Sequence, residues 1–328
     1  MAALPLRSHP LHRRLDSCLS SAADPDDPCW DVLAAHGPLD ERDALLTLLA
    51  IHDLHLAPLG VTAGRERWQH HPVLAELKLR LEADLVDNLE ADDASMAWSL
   101  PAEPVAALRA IAAVGLVPSV YRWLADEADR DEVVEFITLE GGPDDGFDDL
   151  VAACQVGLQG EAKVEMARNY WDEMGNGSPE RVHRELHRKL ARALDLPVVP
   201  REEQPLEGLR RSALGGLLAT NRCRQPEMVG ALGLIEMQAG PRCRTVVATL
   251  ERLGEGDDAL DFYREHAVAD PRHGKGWLDN VVADLADDPR FAEGMVRGAR
   301  WRSLVNAQFF HALTERFAPA LIARPRAS

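Results

Sequence analysis

Three features of the 328-residue chain predict an all-α protein. Ala, Leu, Arg, Asp and Glu dominate, and most of these enter helices at little cost. Strand-type runs of Val, Ile, Thr and aromatics are scarce, and the one short candidate, "PVVP" at 197–200, is bounded by proline on both sides. Apolar residues recur with helical period between short breaks.

In chain order, that period predicts helices at 41–55, 72–90 and 103–114, with breaks at "SLPAEP" and "GLVPS". Helices at 119–139, 146–158, 160–174 and 178–194 follow. The last two are separated by Gly175, Asn176, Gly177, Ser178 and Pro179. Gly commonly ends a helix, Ser caps the next one, and Pro suits a first turn. Beyond the Pro-rich connector 196–205 come 206–220, 226–238, 241–253, 257–270, 275–286 and 290–315. The breaks divide the chain into an N-terminal helical region, 1–117, and a helical bundle, 118–328. The leading residues, with "ADPDDP", are expected to be loosely ordered.

The 54 acidic against 36 basic residues leave a formal charge of −18. Such a surface repels nucleic acid and anionic membranes, and neither is expected as a partner. The densest apolar run, "LLTLLAI", is too short to span a bilayer. The N-terminus lacks the apolar core of a signal peptide, so a cytoplasmic location is expected. Cys18, Cys29, Cys154, Cys223 and Cys243 form no C-x-x-C pair, and reduced thiols are the expectation.

Three segments carry chemistry. In "WDEMGNGSPERVH", Glu173 and His183 stand ten positions apart. On one straight helix they would be roughly 15 Å apart, too far to share an ion, but the glycine-rich interruption allows a bend that turns both to one point. In "GALGLIEMQAG", Glu236 lies in an apolar and small-residue run of the kind that is buried, where an unpaired carboxylate is costly. A metal would satisfy it, and so would Arg242, Arg244 or an exposed helix end. In "EHAVADPRHGKGW", His266, Asp270 and His273 form H-x-x-x-D-x-x-H, which places the three within roughly 60° on one helix face. Pro271 is expected to kink that helix.

Other residues rank lower. His187 is an alternative to His183. His52 and His55 read as surface or packing residues, His70 and His71 as loop, and His311 as core or rim. Glu161 and Glu165 read as solvated charges. Asp148 and Asp149 suit a helix start.

Three carboxylates and three imidazoles on separate helices of a bundle form the donor set of di-iron and di-manganese sites, and thiolates are absent. A heme pocket would need an apolar cavity with one proximal histidine, which six polar ligands would spoil. Between about 120 and 310 the chain resembles the heme-oxygenase-like diiron oxidases and oxygenases, or iron-containing redox enzymes. The resemblance rests on "KVEMARNYWDEMGNGSPERVH", "ALGLIEMQAGPRC" and "FYREHAVADPRHGKGWLDNVV". It implies a heme-oxygenase-like helical bundle in which Glu173, His183, Glu236, His266, Asp270 and His273 hold two Fe(II) ions, with O2 as co-substrate. The ten-residue Glu–His step is similar to that of N-oxygenase members. Some of those add a further carboxylate ligand, for which Glu140, Asp148 and Asp149 are the candidates. The resemblance also implies a mobile helix at the bend, a labile iron site and an N-terminal dimerisation segment, hence a homodimer.

The expectation is therefore an oxygenase acting on a small amine or amino-acid-like substrate, with an external electron donor. Desaturation, decarboxylation or C–C cleavage is the alternative, and a non-catalytic helical binding protein the competitor from another class. Tyr170, Tyr263, Arg300 and Arg302 are candidates for the substrate pocket, the two arginines for binding a carboxylate.

Overall fold

The computed structural model describes residues 9–34, 37–141 and 146–322, and every regular element among them is helical. The N-terminal region forms α1 (Leu11–Ser21), α2 (Cys29–Ala34), α3 (Glu41–Leu56), α4 (Leu59–Thr62), α5 (Pro72–Ser95) and α6 (Pro104–Ala113). There follow α7 (Val120–Asp126), α8 (Arg130–Gly141), α9 (Phe147–Cys154), α10 (Gly160–Glu173) and α11 (His183–Ala193). The chain ends in α12 (Leu206–Thr220), α13 (Gln225–Leu253), α14 (Asp257–Gly276), α15 (Ala283–Leu285), α16 (Pro289–Phe317) and α17 (Pro319–Ile322). No helix among the described residues is long and apolar enough to cross a membrane.

Local chemistry explains most boundaries. The Asp40 carboxylate caps α3 by accepting the Asp43 amide at 3.0 Å. Proline occupies the first turn of α5, α6, α13 and α16, where its missing N–H costs nothing. Predicted helix 119–139 is in fact two helices. Asp129 and Glu132 form a capping box, each side chain accepting the other's amide at 3.0 Å, and this restarts the chain as α8.

The predicted segment boundaries beside Pro241 and Pro271 are not found. Pro241 lies inside α13 and Pro271 inside α14, so four predicted segments become two long helices, α14 running on through a π-turn at Trp277–Val282. Pro271 leaves the Ala267 carbonyl without its helical donor, and Arg244 Nη1 supplies one at 3.2 Å.

Part of the leading segment expected to be loose is folded; residues 1–8 lie outside the described range. Leu11, Leu15 and Leu19 of α1 are buried, and the Leu11 and His12 amides donate to the Asp43 carboxylate at 2.7 and 2.9 Å. Cys18 and Cys29 are joined as a disulfide, Cα to Cα 5.5 Å, which corrects the expectation of reduced thiols there. The turn between α1 and α2 brings them together at a spacing no motif records.

One hydrophobic core contains residues from both sides of position 117, from Leu11 and Leu74 to Met295 and Val305. A second, around Tyr121, Phe136, Tyr263 and Phe310, fills the other end of the bundle. Helices α13 and α16 cross almost backbone to backbone: a Cβ on Gly298 would stand 1.9 Å from the Glu227 carbonyl oxygen, and one on Gly230 1.8 Å from that of Met295. Gly298→Ala is therefore expected to destabilise the fold by about 2 kcal/mol or more, despite alanine's better helix propensity. Urea denaturation reads this directly, and an unchanged midpoint would mean that the two backbones do not meet.

Candidate metal centre

Glu173 is the last residue of α10 and His183 the first of α11. Between them Gly175, Asn176 and Gly177 take φ of 61°, 53° and 87°, all left-handed. The chain folds back so tightly that a Cβ on Gly175 would lie 2.5 Å from the Arg181 carbonyl carbon. The reversal closes the ten-residue gap: Glu173 Oε2 stands 2.8 Å from His183 Nδ1. Both residues are buried, and the contact lacks hydrogen-bond alignment, so His183 Nδ1 has no hydrogen-bond partner.

Helix α13 brings Glu236 to the same place, and α14 brings His266, Asp270 and His273. Glu173, His183 and His266 offer ligand atoms within 4.8 Å of one another, as do Glu173, Glu236 and His273, so one buried glutamate belongs to both groups. Asp270 belongs to neither group. It lies buried beside them, and its Oδ2 has no hydrogen-bond partner.

Neighbouring groups hold these donors in place. The Asn169 amide donates to Glu236 Oε1 at 2.6 Å. The His266 Nδ1–H meets the Phe262 carbonyl at 2.7 Å, leaving Nε2 to face the centre. His273 Nε2 lies 2.9 Å from Asp172 Oδ2, while its Nδ1 is 3.4 Å from Glu236 Oε2 and unpartnered. The two imidazole contacts each select a tautomer and a ring orientation.

The metal-free charges are strained accordingly. Burial, helped by His183, pushes His266 down to about 4. Burial also works to lower His273, but Glu236, Asp172 and Asp270 outweigh it and raise the imidazole to about 10. Burial, then the nearby Glu236 charge, pushes the Asp270 carboxyl well above its ordinary range. A buried cation would relieve each of these conflicts. The unpartnered His183 Nδ1, His273 Nδ1 and Asp270 Oδ2 suit a mixed carboxylate–imidazole site.

The remaining candidates lie elsewhere or are otherwise engaged. Arg300 pairs with Asp93 at 2.9 Å, and Arg302 is buried in α16. Tyr263 is a buried core residue with its ring against Phe262, and Tyr170 packs partly buried on the larger core. Asp148 and Asp149 bind Arg184 at 2.7 and 2.9 Å, and Glu140 accepts from the Tyr121 hydroxyl at 3.1 Å. His187 packs on Phe262 and is in neither ligand group.

His52 is a buried packing residue and meets Glu82 at 2.9 Å. His71 stacks on Trp30, and His311 is an exposed rim residue near Glu315. Glu165 is not simply solvated, since it accepts from Asn280 at 2.8 Å. Arg242 and Arg244 bind backbone carbonyls instead of Glu236. The residues missed in sequence are Asn169 and Asp172. Asn169 stands four residues before Glu173, one turn back on the same face, and that spacing was the available signal.

Fold and site together define a helical metalloprotein with carboxylate and imidazole donors at its centre. The profile of the iron-containing redox enzymes matches residues 135–307, which spans every one of those donors. The chain belongs to that family, with its all-α, heme-oxygenase-like fold, and is an iron-dependent oxidoreductase. No curated protein matches it.

Proposed function

We propose that the chain is an O2-dependent non-heme diiron oxygenase that oxidises the nitrogen of a small amine or amino-acid-like molecule. The observation that carries this reading is Glu173, a buried carboxylate common to both ligand groups, which would let one side chain help to hold two ions. Two Fe(II) ions, when bound, supply the activation of O2. The chain supplies the rest: Asn169 orients Glu236, Phe262 and Asp172 orient His266 and His273, and burial keeps water from the donors. Oxygenation of an amine to a hydroxylamine takes up one O2, two electrons and two protons and releases water, so a separate electron donor is required.

The ten-residue Glu173–His183 step supports nitrogen as the site of oxidation, because it is similar to that of N-oxygenase members. The charge of −18 supports a cationic amine by steering it towards the surface. A binding-protein role would leave the crowded buried donors without purpose.

The test is to load the protein with Fe(II), count ions per chain, and mix it with O2 and a panel of amines while following visible absorption and products. Two irons per chain and hydroxylamine products support the reading. Desaturated or cleaved products would move it to the alternative chemistry. One iron or none, with O2 consumption unaffected by His266→Ala, would overturn it.

The role of Asp172 can be tested separately. Asp172→Asn is expected to weaken iron binding at the Glu173–Glu236–His273 group by about 10- to 100-fold, as loss of a carboxylate behind a ligating histidine does. Equilibrium dialysis against iron should show one weakened ion and one unchanged, and equal affinity in both proteins would exclude a positioning role.

A further inference from the structure

The Glu173–His183–His266 group draws its two imidazoles from different elements: His183 opens α11, and His266 lies within α14. Their ring centres are 4.4 Å apart. A small shift of either segment changes the space between them, and metal–ligand distances tolerate only about 0.2 Å.

The hold between α11 and α14 differs along α11. At the far end it is apolar, where Leu190 and Leu194 share a core with Leu260 and Tyr263. At the near end the chain arrives from the left-handed reversal, where Gly175 and Gly177 offer no side chain to pack. There Arg181, two residues before His183, pairs with Glu265, the residue just before His266. Among the described residues this is the only ion pair that joins a side chain of 174–182 to another helix. It bridges the same two segments that the imidazoles come from, and neither partner belongs to a ligand group.

We infer that Arg181 and Glu265 are positioning residues for the His183–His266 pair. Their ion pair fixes the entry of α11 against α14 and so tunes the affinity of that group for its ion. The inference rests on the metal-centre reading above and places part of its control outside the donors. The two side chains are 56% and 27% exposed, so salt screens their attraction. Breaking an exposed pair of this kind should weaken the ion by about two- to fivefold.

The experiment is a double-mutant cycle on the full-length protein, with Arg181→Gln, Glu265→Gln and the two combined. Each is dialysed anaerobically against Fe(II) at low and high salt. The ion of interest is the one lost in His266→Ala. At low salt it should be weaker in all three variants by the same factor, because the second change finds the pair already broken. High salt should weaken it in the wild type and remove the difference. The ion retained in His266→Ala should keep its affinity throughout. No loss in the single variants, additive losses, or equal weakening of both ions would each overturn the inference. Hydrogen exchange of the metal-free proteins is the second measurement. Amides of 174–186 should exchange faster in Arg181→Gln than in the wild type at low salt, with those of α13 unchanged. Equal exchange in 174–186 would overturn the inference as well. Fewer than two irons in the wild type would count against the diiron reading instead, and the exchange result then decides the ion pair's role by itself.

Discussion

Glu173→Ala is expected to empty the whole metal centre, whereas His266→Ala empties only part of it. Glu173 is the one residue that serves both ligand groups, so its loss leaves two imidazoles on one side and Glu236 with His273 on the other. Neither remnant suits a tightly held iron, and O2 consumption should vanish with the metal. In His266→Ala the Glu173, Glu236 and His273 donors remain, and about one ion per chain should be retained. The apo fold should survive Glu173→Ala, because the change removes a buried carboxylate whose charge is costly without an ion. Iron analysis and circular dichroism of the two variants side by side check this. Equal iron loss in both, or retention of two ions in Glu173→Ala, would rule out the shared-carboxylate arrangement.

The second large effect is expected at Gly175. An alanine there must hold φ near 61° and place its Cβ 2.5 Å from the Arg181 carbonyl carbon. The left-handed backbone alone costs about 1–2 kcal/mol, and the clash with backbone adds about 1–3 kcal/mol. Relief can come only by opening the reversal, which moves His183 away from Glu173. Gly175→Ala should therefore lose iron affinity by more than about tenfold even if most of the helical content survives. An alanine at exposed Gly256, where nothing lies within 4 Å of the added Cβ, is the matched control. Iron affinity equal in the two variants would mean that the bend does not set the Glu173–His183 distance.

These expectations also show what was legible in the sequence. The reversal at Gly175 was readable because glycine, serine and proline act locally, through φ preference and capping. The ends of α3, α10, α12 and α16 were readable for the same reason. Pro241 and Pro271 misled because their effect is decided elsewhere. One lost helical hydrogen bond is small beside the burial of Val246, Leu250 and Ala269 on long helices, and the carbonyl freed by Pro271 finds Arg244. The division between α7 and α8 was available in the D-x-x-E spacing of Asp129 and Glu132 and was overlooked.

At the centre, residue types and helical spacing pointed to Glu173, His183, Glu236, His266 and His273, which the fold brings together. Asp270 it sets beside them. Asn169 had its spacing from Glu173 as a signal, but Asp172 was hidden because polar residues on a charged helix look solvated until the facing helix is known. Arg300 had the right chemistry for a substrate carboxylate, but Asp93, more than two hundred positions away in sequence, had already engaged it. Pairings across such separations leave no local trace.

The bond from Arg244 to the Ala267 carbonyl has a mechanical consequence. A helix that surrenders an internal rung to a neighbour becomes cross-braced to it, and α13 and α14 can then slide past each other only by breaking that tie. The Pro271 ring reinforces the brace by filling the space where a side chain on Gly240 would stand. Glu236 and the three donors of α14 thus ride on one stiff double strut. The Glu173–His183 side hangs on a reversal of 3-10 turns. Any displacement that accompanies loading or release of an ion is therefore expected as hinging at 174–182, with the strut as the fixed frame.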